Sequence, residues 1–262
     1  MTPAHLEDRS VVAISGPEAR GFLQGLITND VERLTPGTAL YAALLTPQGK
    51  ILFDFLLTEG DGAILIDCAR DARDALVKRL TMYRLRAKVV IEAKEQLSVY
   101  SGNPWPRGLV FDDPRLAALG QRSIGATAEM PALKHHAADY HAHRLALGVP
   151  EAGDFGSDRM FALDAGLDEL HAIAFEKGCY VGQELTARMK HRGTARKRLL
   201  VVEGEAAPGD ELRAGGTSIG EVVAMHGRRG FALVRLDKLE GQVTAGDRSV
   251  TVIRQNWLDG AQ

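Results

Sequence analysis

Lys177–Arg188 reads KGCYVGQELTAR and sets a lone cysteine between two glycines, ahead of an adjacent Gln-Glu pair. From Val181 to His191 the spacing is helical: Leu185 and Met189 stand four apart, as do Glu184 and Arg188, and Gly193 supplies a stop. Cys179 is therefore expected at the helix start, where free N–H groups and the macrodipole favour an anion and Lys177 adds positive charge. Gly178 and Gly182 are expected to take positive φ or to let backbone approach a ligand. The residues alone leave two readings open, a tight turn with a small filler cysteine or a functional thiol. Glu184 and Arg188 are similarly either a surface pair or ligand contacts.

Upstream of this stretch, RSVVAISG predicts a strand and GPEARGFLQGL a helix with Pro17 near its first turn. TALYAALLT, ILFDFLLTE and DGAILIDC predict three strands of an antiparallel meander, and Ala69–Leu85 carries apolar residues at helical spacing. RAKVVIEA and QLSVYSG return to strand alternation, which would place Arg84, Arg86 and Lys88 on one strand face. Asn103–Ala138 is rich in Pro, Gly and Ala, so loops and a short connector are expected, followed by a helix in ADYHAHRLALG. Beyond Gly193, short strands separated by glycine turns predict a small β-barrel or sandwich. The class is α+β, with an α+β region over 1–193, expected as two interleaved subdomains, and a barrel domain over 194–262.

The 262 residues carry a formal net charge of −2, which offers nucleic acid or an anionic membrane no global attraction. Neither partner is expected. The N-terminal MTPAHLEDRSVV lacks an apolar signal core and carries acids, so a bacterial cytoplasmic protein is expected. With only Cys68 and Cys179 there is no disulfide framework and no paired-cysteine metal knuckle, and no permanently bound metal is expected. Cys68 ends an apolar alternating run and is expected to be a buried hydrophobe.

KGCYVGQE is similar to the signature of the folate-binding YgfZ family, matching Lys-Gly-Cys-aromatic-x-Gly-Gln-Glu at every fixed position. FLQGLITNDV, YAALLTPQGKILFDFLL, YRLRAKV, DPRLAALG and ALDAGLDELHAIAFEKGCYVGQE fall in family order, and the likeness is nearest the branch with mitochondrial factors. The family in turn resembles the aminomethyltransferase, or T-protein, of glycine cleavage. That resemblance implies small domains around a central folate cavity with the barrel at the C-terminus. It implies a tetrahydrofolate-binding protein that supports assembly or repair of iron–sulfur clusters, mainly [4Fe–4S], with A-type carriers and client enzymes as partners. Cys179 is the implied reactive group.

Tyr41 and Asp54 reproduce the spacing of a folate-flanking Tyr and Asp in the T-protein, but Phe53 replaces the first member of its acidic pair. Aminomethyl transfer is therefore the rival activity rather than the leading one, and a folate-independent thiol scaffold is a second rival. A carboxylate can grip the donor–acceptor edge of a pterin and a Tyr ring can underlie its flat face, which assigns these roles to Asp54 and Tyr41. Asn29 and Asp30 are expected in the same wall, with an Asx turn as the plainer alternative. Arg86, Lys88, Arg144 and Arg188 are candidates for the anionic glutamate tail.

Overall fold

The computed structural model describes residues 3–102, 108–129, 133–193 and 196–259. Two compact units divide the chain. The first comprises Met1–Leu44, Phe53–His143 and Leu170–Val181; the second comprises Leu45–Leu52, Arg144–Glu169 and Gly182–Gln262. The boundary expected at Thr194 lies outside the described residues.

The strands and α-helices that begin before Arg144 are β1 (Ala4–His5), β2 (Arg9–Ser15), α1 (Ala19–Gln24), β3 (Ala39–Leu45), β4 (Ile51–Gly60), β5 (Ala63–Ala69), α2 (Arg73–Arg84), β6 (Val90–Ala93), β7 (Leu97–Ser101), β8 (Leu109–Asp112), β9 (Gln121–Ala126) and α3 (Ala137–Ala146). One sheet runs β3-β4-β5-β2-β6 and a second runs β1-β7-β9-β8. Val12, Ile14, Phe55, Leu57, Ile64 and Ile66 alternate onto one face of the larger sheet, where Leu76 and Leu80 of α2 pack one helical turn apart. Cys68 joins this cluster as expected, and burial pushes its thiol up to about 12.

The second unit holds α4 (Ala152–Phe155), α5 (Gln183–Arg192), β10 (Lys197–Gly204), β11 (Glu211–Ala214), β12 (Thr217–His226), β13 (Arg229–Arg235), β14 (Val243–Ala245) and β15 (Arg248–Ile253). The six strands close as β10-β13-β12-β11-β14-β15 around Leu200, Val202, Leu212, Ile219, Val222 and Val234. Closure leaves no unpaired strand edge. The α+β class and the C-terminal barrel are thus as the sequence predicts.

Two local expectations are corrected. Arg84 ends α2, and Leu85–Val89 form a turn and irregular segment, so Arg84, Arg86 and Lys88 do not alternate along a strand. Leu85 explains the break, since its φ of 45° closes the helix in a conformation no strand continues. The expected connector contains β8 and β9. Among its residues, 103–107 and 130–132 lie outside the described set.

Candidate functional site

Burial alternates sharply along the cysteine segment: Lys177 and Tyr180 are buried, whereas Gly178 and Cys179 are exposed. The Lys177 ammonium donates to the carbonyls of Gln24 (2.8 Å), Ile27 (2.8 Å) and Asn29 (2.7 Å). Its three protons thus meet three acceptors, and it lies 5.2 Å from the centre of the Tyr180 ring. Burial pulls the Lys177 pKa down to about 8, with Asp30 opposing. Lys177 is therefore a clasp between this segment and the loop after α1. Cys179 is also not in a helical first turn, because α5 begins at Gln183 with Gly182 as N-cap. Both electrostatic supports expected for the thiol, the helix start and a free lysine charge, are replaced by mechanical ones.

Asn29 and Asp30 complete the same clasp. Thr28 donates to the carbonyl of Ala172 (2.6 Å) and accepts from the Ala43 N–H (2.9 Å), while Asn29 donates to the carbonyls of Tyr41 (2.7 Å) and His171 (2.8 Å). Asp30 accepts from Gln24 (2.8 Å) and from the Glu32 N–H (3.2 Å), which is the Asx turn. The Gln24 hydrogen bond is the main force holding the Asp30 carboxyl below its ordinary range. The polar groups of Thr28 and Asn29 are thus spent on backbone and that of Asp30 mainly on Gln24 and the Glu32 N–H, which ties His171 and Ala172, ahead of the cysteine segment, to this loop.

Tyr41 and Asp54 do meet, with the phenol donating to the carboxylate at 3.0 Å. Both are buried, at 0% and 3% exposure, and the Arg115 guanidinium lies 5.4 Å from the Tyr41 ring centre. A ring so enclosed is no open platform for a pterin. Behind it runs a charge network that sequence reasoning missed. Asp67 accepts from Arg9 (2.6 Å) and Arg122 (2.7 Å), Asp113 accepts from Arg115 (2.7 Å) and Arg122 (3.2 Å), and both Arg115 and Arg122 donate to the Tyr140 hydroxyl. Burial works against the Asp113 charge, yet Arg115 and Arg122 hold its carboxyl below the usual range. The only sequence signal was DPRL, whose Asp113 and Arg115 sit in a stretch otherwise poor in periodicity.

The remaining candidates are exposed or are already matched within their own unit. Arg86 and Lys88 are exposed, and their side chains have no polar partner among the described residues. Arg144, in the second unit, is buried and donates to Asp154 at 2.7 Å and to the Val149 carbonyl at 3.1 Å. Its charge is spent there, which corrects its assignment to a folate tail. Glu184 and Arg188 form an exposed pair along α5 at 2.5 Å. A recess of about 740 Å3 lies within the second unit, lined by residues such as Phe155, Arg159, Met160 and Leu233 and by neither Tyr41 nor Asp54. Among the described residues no group of three or more His, Cys, Asp or Glu side chains gathers as a metal-ligand set.

The two motif glycines separate cleanly. Gly182 has φ +85°, and a Cβ there would stand 2.6 Å from the Thr46 carbonyl oxygen, whereas a Cβ on Gly178 would meet nothing within 4 Å. Gly182→Ala should therefore cost on the order of 2–3 kcal/mol through strain and backbone displacement. Gly178→Ala should stay within about 0.5 kcal/mol, as for other open surface positions. Urea midpoints of the two variants check the contrast, and equal losses would refute it.

Comparison with known proteins agrees with this geometry. Residues 196–260 match the family described as CAF17, C-terminal beta-barrel domain, which covers the closed barrel. The chain is 33% identical to the mouse protein named iron-sulfur cluster assembly factor IBA57, mitochondrial, over 90% of this chain and 78% of that protein. The human protein of that name gives the same identity and coverage. The chain belongs to the IBA57 family of iron–sulfur cluster assembly factors. The family expected from the cysteine motif is of the same superfamily, but the relatives carry the IBA57 name. They are also named as mitochondrial, which overturns the expectation of a bacterial cytoplasmic protein. The glycine cleavage aminomethyltransferase of Bartonella henselae superposes with a TM-score of 0.77 over 98% of this chain and 85% of its own, at 15% identity. That likeness establishes the T-protein fold and leaves activity to other arguments.

Proposed function

We propose that the chain supports assembly or repair of iron–sulfur clusters, mainly [4Fe–4S], with Cys179 as its working group. The observation that carries this reading is an exposed thiol between buried Lys177 and Tyr180, in a chain one-third identical to relatives named as cluster assembly factors. A [4Fe–4S] cluster takes four cysteine ligands, and the second cysteine here, Cys68, is buried in the sheet core. Cys179 therefore acts as one ligand in a complex whose other ligands come from a partner, for which an A-type carrier is the proposed class and a cluster enzyme the client. The cluster is cargo. Deleting the gene should lower the activity of [4Fe–4S] enzymes and spare enzymes without clusters; equal effects on both would reject the reading.

Tetrahydrofolate is the ligand proposed from the family resemblance, and the arrangement around Tyr41 does not fit it as a stacking platform. The ring is enclosed, Arg115 occupies one side, and the hydroxyl is given to Asp54. No chemical step is routed through the folate. Calorimetry with tetrahydrofolate should show binding that Tyr41→Phe leaves within about twofold, since removing a hydroxyl that faces Asp54 deletes no ligand contact. Absence of binding by the wild type would reject tetrahydrofolate as the ligand and favour the folate-independent scaffold.

A further inference from the structure

Most arginines of the described chain are tied to a carboxylate or a carbonyl, and one short stretch departs from that habit. Lys78–Val90 reads KRLTMYRLRAKVV, with five cations and no acid in a chain of net charge −2. Among the described residues the side chains of Lys78, Arg79, Arg84, Arg86 and Lys88 have neither an ion pair nor a hydrogen bond. The same stretch holds the large apolar side chains that the described chain leaves exposed: Met82 at 62%, Leu85 at 88% and Val90 at 56%. On α2, Leu76 and Leu80 turn into the core, Lys78 and Met82 follow one another on the outward face at helical spacing, and Leu85 stands exposed just past the helix end. Leu85 closes the helix at φ 45°, a conformation that a leucine adopts only under strain. At 88% exposure it projects into solvent rather than lining a recess.

Such a ridge suits one kind of surface. The apolar anchors of protein interfaces are mostly aromatic and leucine is under-represented among them, whereas here the exposed apolar side chains are aliphatic and the aromatic, Tyr83, packs against the core. A convex pair of aliphatic side chains amid unpaired cations is the pattern of a helix end that enters a lipid interface, the cations reaching phosphate while their stems lie along the acyl boundary. Charges this close together act within a Debye length, so the ridge and not the net charge decides the attraction. We propose that Lys78–Val90 is a peripheral docking surface for an anionic phospholipid bilayer, with Leu85 and Met82 inserting and the five cations meeting headgroup phosphates. This is attachment to a surface, since no helix of the described residues is long and apolar enough to cross a membrane. It stands independently of the role of Cys179.

The test is sedimentation of the purified full chain with phosphatidylcholine vesicles, with and without about one-third phosphatidylglycerol. Binding is expected to the anionic vesicles alone and to weaken as salt rises. Each cation near such a surface contributes about fivefold, so Lys78→Glu with Arg86→Glu should weaken binding by at least about twenty-fold. Leu85→Ser should weaken it about tenfold with the charges kept. All three positions are exposed, so thermal unfolding should be nearly unchanged and separates lost binding from lost folding. Failure of the wild type to bind anionic vesicles at low salt overturns the proposal. Binding that survives both the charge reversals and Leu85→Ser overturns it too, as does a ridge that captures an acidic protein while ignoring vesicles.

Discussion

Lys177→Met should lower stability by about 3–5 kcal/mol and leave the Cys179 segment loosely held. The substitution keeps most of the buried stem but strands three carbonyls, those of Gln24, Ile27 and Asn29, each of which now accepts from the ammonium. Leaving one buried acceptor unsatisfied costs about 1–3 kcal/mol, and relaxation recovers part of three such losses. The lysine also makes a signed prediction in pH. Its folded pKa of about 8 lies below the ordinary value of about 10.4, so between those values the unfolded chain holds the extra proton. This group's contribution to stability therefore rises with pH across that window, with a slope of up to about 1.4 kcal/mol per pH unit. Below pH 8 it is flat. Urea unfolding from pH 7 to 10 should show the slope in the wild type and its loss in Lys177→Met, after both are referred to a common baseline. A variant as stable as the wild type, with the same slope, would mean that the ammonium is not a clasp.

Asp67→Asn should be comparably damaging, at about 3–5 kcal/mol, although it changes only one atom's identity. Asp67 is fully buried on β5, where strand alternation turns it away from the Ile64–Ile66–Cys68 face and toward Arg9 and Arg122. Removing one partner of a buried pair leaves uncompensated charge, and here two guanidinium groups lose their shared carboxylate. Replacing Asp67 and Arg122 together by apolar residues of similar volume should recover a large part of the loss, because both charges then leave the interior. A loss below about 1 kcal/mol for Asp67→Asn, measured by urea midpoint at unchanged slope, would show that the network is solvated and not structural.

The larger sheet, the helices α2, α3 and α5 and the barrel were legible because their apolar residues repeat with the period of two or of 3.6 that burial imposes. Arg84–Lys88 misled for a physical reason: alternating charge and apolarity mimics a strand, while the decisive event is the positive φ of Leu85, which no side-chain pattern announces. β8 and β9 were missed because VF and SI give too few apolar steps to outweigh the surrounding Pro and Gly. At the candidate site, the identity of Cys179 was legible and its setting was not. Lys177 looked like an electrostatic activator because a lysine beside a cysteine is ordinarily solvated, yet its head is consumed by carbonyls some 150 residues upstream, at separations of 148 to 153. Arg144 failed similarly, since only the tertiary approach of Asp154 reveals that its charge is already matched.

On the proposed function, an exposed Cys179 beside the Lys177 clasp is the group that cluster assembly needs. The most direct test is rescue of [4Fe–4S] enzyme activity in a deletion strain by Cys179→Ser, with thermal stability of the purified variant measured beside it. The side chain is exposed, so the variant should unfold within about 0.5 kcal/mol of the wild type. The expected result is a stable protein that fails to restore cluster-enzyme activity. Full rescue by an equally stable Cys179→Ser protein would contradict it and leave the segment as a structural turn.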